Sequence, residues 1–115
     1  MSTIVAMASM TPEQETARKK QLVSAAKALL SLQVGISIGS LRISKILLWL
    51  GLQSDEHFQV FHQFNRAILG FPVGNERLLW AYPALLEHDA ELARIEAEFR
   101  PRLLNACIAI INQYG

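Results

Sequence analysis

Apolar residues recur through most of the chain at the three-to-four-residue spacing of an α-helix, and no stretch alternates with the period of two that a half-buried strand requires. Thr11-Pro12-Glu13-Gln14 supplies a capping hydroxyl, a proline at the first helical position and a glutamine three residues after the cap, so a helix should begin there. Leu22, Ala25, Ala26, Leu29 and Leu30 form its apolar side and carry it to about Leu32. Gly35 and Gly39 then bracket a short loop. The next helix is expected from about Ser40 to Leu50, closed by Gly51. It is apolar nearly all round: Ile43, Ile46, Leu47 and Leu50 form one stripe, while Leu41, Leu48 and Trp49 stand at other angles. That is the pattern of a central helix packed against several neighbours.

Ser54 should cap a third helix, with Asp55 and Glu56 in its first turn, Phe58, Phe61, Phe64 and Ile68 on its core side, and Gly70 at its end. Phe71-Pro72-Val73-Gly74 reads as a turn, followed by a short helix from Asn75 to Trp80 that Pro83 interrupts or restarts. In the last segment Leu92, Ile95, Phe99, Leu103, Ala106 and Ile110 fall within about 60° of one line around a helix axis. The stripe keeps its phase through Pro101, which points the opposite way, so one bent helix is expected from about Leu85 to Asn112. The expected fold is all-α: a compact bundle of four to five helices, with residues 1–10 as a flexible N-terminus and 11–115 as a single domain.

Composition narrows the class. The chain has 115 residues, 51% of them apolar and only 18% charged, with a single cysteine. This excludes a disordered chain and a disulfide scaffold, and one domain's worth of core is available at this length. The longest apolar run, Ile46 to Leu52, is far shorter than the roughly 20 residues of a membrane span. No basic leader precedes the weakly apolar start, so no signal peptide is expected, and Cys107 alone makes the cytoplasm the expected compartment. The formal net charge of +1 conceals a segregation: residues 1–50 carry +4 and residues 51–115 carry −3.

No catalytic constellation stands out. His57 and His62 lie about 140° apart on a helix and cannot share a metal. Cys107 sits at the apolar stripe as a small hydrophobe, and Ser37, Ser40 and Ser44 lack a partner that would activate a nucleophile. The chain therefore reads as a non-enzyme without a metal or other cofactor. Glu96 and Asp89 lie at the edge of the last helix's apolar stripe, where carboxylates want partners, and Arg42 and Arg77 are the expected ones, in a partly buried network.

Gly35-x3-Gly39-x2-Arg42-Ile43, Phe58-x-Val60-Phe61, Pro72-Val73-Gly74-x2-Arg77-x2-Trp80-Ala81, Asp89-x-Glu91, Glu96 and Ala106-Cys107, taken in this order, resemble a group of small bacterial helical proteins classed as a domain of unknown function, over about residues 21–112. In size and class the chain is also similar to the immunity proteins that block bacterial toxins in the cytoplasm. The second resemblance implies a protein-binding module that neutralises a toxin domain by direct binding. Asp55, Glu56, Glu87, Asp89, Glu91 and Glu98 would then form an acidic face toward a basic toxin cleft. The partner expected is a protein, not nucleic acid or membrane. The alternative is a homo-oligomer, a homodimer in its simplest form, that buries its apolar surface against itself.

Overall fold

The computed structural model describes residues 10–71 and 80–115. Among them are four α-helices, α1 (Pro12–Leu30), α2 (Ile36–Trp49), α3 (Gln59–Ala67) and α4 (Tyr82–Tyr114), with a 3₁₀ turn (Glu56–Phe58) before α3 and no strand. The expected short helix from Asn75 lies outside the described residues.

The start of α1 follows from its first four residues. Thr11 Oγ1 accepts from the Gln14 N–H at 3.1 Å, Gln14 Oε1 accepts from the Thr11 N–H at 3.0 Å, and Pro12 occupies the first turn, where its missing N–H costs nothing. α1 and α2 end in the same way. Behind α1, Gln33 N–H reaches back to Ala28 O at 2.9 Å and Leu32 N–H to Leu29 O at 3.2 Å; behind α2, Leu52 N–H reaches Leu47 O at 2.8 Å and Gly51 N–H reaches Leu48 O at 3.1 Å. This arrangement needs a left-handed residue. Gly51 supplies it at φ 73° without strain, whereas the first helix uses Leu32 at φ 60°, a conformation that costs a side-chain-bearing residue about 1–2 kcal/mol.

Expected boundaries shift at three of the helices. α2 starts at Ile36, with Gly35 as its cap, so Gly39 lies inside the helix rather than at the edge of a loop. Its role there is steric: a Cβ on Gly39 would lie 2.8 Å from Leu29 Cδ1 and 3.2 Å from Val34 Cγ1, so the lack of a side chain lets α2 close on α1. The cap before α3 is Asp55 rather than Ser54, its Oδ1 accepting from the His57 N–H at 2.9 Å. α4 is longer than expected at both ends, and Pro83 falls in its first turn.

α4, about 50 Å long by its rise, packs against the other three helices and runs unbroken through Pro101. Pro101 and Ala97, whose carbonyl loses its helical partner, both face solvent, where the missing bond costs least. The stripe works as the spacing predicts: Leu92, Leu103, Ala106 and Ile110 are buried, with Ile95 and Phe99 packed at its margin. Phe58, Phe61 and Phe64 are fully buried, and Phe64 meets Phe99 edge-on at 5.4 Å. Leu22, Ala26 and Leu29 of α1 and Ile43 and Leu47 of α2 complete the core.

Candidate functional site

α2 touches all three other helices, as its apolar character predicts, yet both of its faces mix polar and apolar residues. Facing inward are Ile43, Ile46 and Leu47, and with them Ser37, Ser40 and Ser44, which recur at i, i+3 and i+7. Ser37 Oγ donates to Glu96 Oε2 of α4 at 2.7 Å. Ser40 Oγ donates to Asn65 Oδ1 of α3 at 2.8 Å, and Asn65 Nδ2 donates to Ser44 Oγ at 2.6 Å. Small hydroxyls let α2 approach closely, and each finds a partner on the facing helix, as a buried polar group must.

These bonds correct the expected network at Arg42 alone. Glu96 is partnered by Ser37, and Arg42 is exposed on the opposite side of α2 from it. The reason is rotational: Arg42 lies about 140° around the helix axis from Ser37, so the packing that turns Ser37 to α4 turns Arg42 to solvent. Asp89 is half-buried and engaged in an interaction of its own, while Arg77 lies outside the described residues. Sequence reasoning missed Ser37, Ser40, Ser44 and Asn65 as the true polar interior. The signal was present in the serine spacing, but it was weighed only as nucleophile chemistry.

The outer face of α2 carries Ile38, Leu41, Leu48 and Trp49, between 41% and 58% exposed, with Arg42 and Lys45 among them. Arg18 of α1 lays its guanidinium over the Trp49 ring, 4.1 Å from the centroid, and Lys45 Nζ lies 5.9 Å from the same ring. Beside this face runs a groove of about 340 Å³, walled by Ser24, Ala25 and Ala28 of α1 and by Arg42, Lys45, Ile46 and Trp49 of α2. A second cavity of about 670 Å³ opens on the other side of α1, where Lys20, Lys27 and Tyr114 stand around Val23.

The six acids of the expected acidic face are not brought together. Glu87, Glu91 and Glu98 share one exposed side of α4, with Arg94 among them, 3.5 Å from Glu91. Asp89 belongs to the core side of that helix. Asp55 and Glu56 sit on the 3₁₀ turn, and Glu56 lines a cavity with Asn105 and Ala109, more than 25 Å along α4 from Glu87. Asp55 is committed locally: the backbone N–H of His57 holds its carboxyl below the ordinary value of 3.8 against the opposing cost of burial, and the His57 ring, with Nδ1 at 3.0 Å, adds to the lowering. Tyr114 is pushed up by its burial and by the Asp55 charge, with Lys19 opposing.

The remaining chemistry-bearing groups are occupied in packing. His62 Nε2 lies 3.1 Å from the Gln53 carbonyl, and His88 meets Trp80 edge-on at 4.9 Å and Phe71 at 5.5 Å. Burial pushes the Cys107 thiol up to about 12, which leaves almost no thiolate at neutral pH. Among the described residues no three His, Cys, Asp or Glu side chains gather as a metal-binding group, and no helix is long and apolar enough to cross a membrane.

Fold and surface together define an all-α protein with a hydroxyl-lined interior and an apolar, positively charged outer helix. The chain belongs to the family described as "Protein of unknown function (DUF2489)", whose model matches residues 4–110. No curated protein and no solved structure matches it.

Proposed function

We propose that this protein is a cytoplasmic protein-binding module rather than an enzyme, and that the outer face of α2 is its docking surface. One observation carries the reading: Ile38, Leu41, Leu48 and Trp49 stand exposed side by side on a helix whose serines are turned inward. Exposed apolar side chains gathered on one element cost solubility and mark interaction sites, whereas isolated ones need no explanation. Co-purification of the tagged protein with and without Leu41→Asp/Leu48→Asp tests it. A partner held in fixed ratio by the native chain should be lost by the variant, with the helical circular dichroism unchanged. Equal recovery by both would reject the face. A dimer in light scattering that the same variant dissolves would assign the face to self-association, the homo-oligomeric alternative.

An immunity role is a second form of protein binding that would use another surface, and the exposed stripe of Glu87, Glu91 and Glu98 on α4 supports it for a toxin with a basic cleft. Reversing those three charges should then abolish protection of cells that express the toxin. Protection that survives the reversal removes the electrostatic part of that reading.

A further inference from the structure

We infer that the groove between α1 and α2 receives an acidic amphipathic helix of a partner protein, an inference that rests on the reading of α2 as a docking face. The groove has the dimensions of a helix contact. It extends from Gln21 to Ala28 on one wall and from Arg42 to Trp49 on the other, eight residues each, or about two helical turns. Its floor is apolar, formed by Ala25, Ala28 and Ile46, so the occupant must bring apolar side chains of its own.

The groove's charge is of one sign. Arg42 and Lys45 rise one turn apart along α2, Arg18 follows at the Trp49 end, and among the described residues no acid lines the groove. Glu15, which lines a neighbouring cavity beyond Trp49, is held by Lys19 at 3.3 Å. A partner helix with carboxylates one turn apart along the edge of an apolar stripe would match this row of cations, and a basic helix would be repelled. Arg18 lies over the Trp49 ring, 4.1 Å from its centroid, so a cation already stands where a partner's carboxylate would approach. The apolar floor weighs against nucleic acid, whose backbone has nothing to bury there. The concave shape weighs against a lipid surface, which favours protruding apolar groups.

The test is selection from a displayed library of randomised helical peptides on three proteins: the native chain, Arg42→Glu/Lys45→Glu and Leu48→Asp, each checked for native circular dichroism. Peptides enriched on the native chain should carry Asp or Glu along one edge of an apolar stripe. On the charge-reversed protein the enriched peptides should change to Lys or Arg, and an acidic winner should bind about tenfold or more weakly. Enrichment of neutral or basic peptides on the native chain overturns the inference while leaving the docking face intact. No enrichment above the Leu48→Asp protein removes the docking face as well. Sedimentation with phosphatidylserine vesicles, or retention of a single-stranded oligonucleotide, overturns the inference in favour of that ligand if Arg42→Glu/Lys45→Glu abolishes it.

Discussion

The inner and outer faces of α2 are built from the same fourteen residues but answer to different constraints. The inner face is decided by space and bonding, so it accepts serines, each with a partner, and a glycine where α1 comes closest. Among the described residues the outer face is met by Arg18 at Trp49, yet Ile38, Leu41, Leu48 and Trp49 stay exposed. Packing among the described residues accounts for the first face and leaves the second unexplained. The contrast is what singles out the outer face as a binding surface.

The sharpest way to break this comparison is truncation on each side. Ile43→Ala, from a fully buried position, should destabilise by about 2–5 kcal/mol in chemical denaturation. Leu41→Ser and Leu48→Ser should each stay within about 0.5 kcal/mol of the native chain. A large loss from Leu48→Ser would mean that the outer face is part of the fold. Next in size is Gly39→Val, whose branched side chain meets Leu29 and Val34; overpacking predicts a loss of about 2 kcal/mol, read as a lowered Tm.

Asn65→Ala tests the polar interior. It strips Ser40 and Ser44 of their shared partner and should cost about 1–2 kcal/mol, moderated because a helical serine can turn to the carbonyl four residues back. Adding Ser40→Ala should recover part of that loss, and strict additivity would show that the bonds are not coupled. Smaller, and opposite in sign, is Leu32→Gly: it removes a left-handed leucine from an exposed helix end and should stabilise by about 1 kcal/mol.

The smallest expected effect concerns pH. Because the folded state holds the Asp55 carboxyl below 3.8, its contribution is present above the unfolded value and lost as pH falls through the lower folded value. Asp55→Asn keeps a capping acceptor and should flatten stability below about pH 4 without changing it much at pH 7. An unchanged acid limb would show that Asp55 does not contribute to it.

Much of the fold was legible because its signals are local. The capping box at Thr11, the phase of the α4 stripe across Pro101 and the three phenylalanines of the third segment each depend on residues within a few turns of one another. Gly51 announced the end of α2 by its identity, whereas Leu32 performs the same task at the end of α1 and announces nothing, since leucine rarely takes a left-handed conformation. The candidate site was far less legible. Arg42 looked like a partner for Glu96 because both lie on helices with apolar stripes; packing against the other three helices set which side of α2 faced α4.

By itself, then, the sequence determined the all-helical class, the approximate helices, the buried stripe of α4 and the segregation of charge between its two halves. The tertiary structure alone decided that Ser37, Ser40 and Ser44 turn inward, that the six acids divide among separate surfaces, and that Arg18 comes to rest on Trp49 beside a cation-lined groove. The physical reason is that periodicity fixes which residues share a side of a helix, but only the neighbouring helices fix which side is covered. On a helix apolar nearly all round, periodicity cannot make that choice.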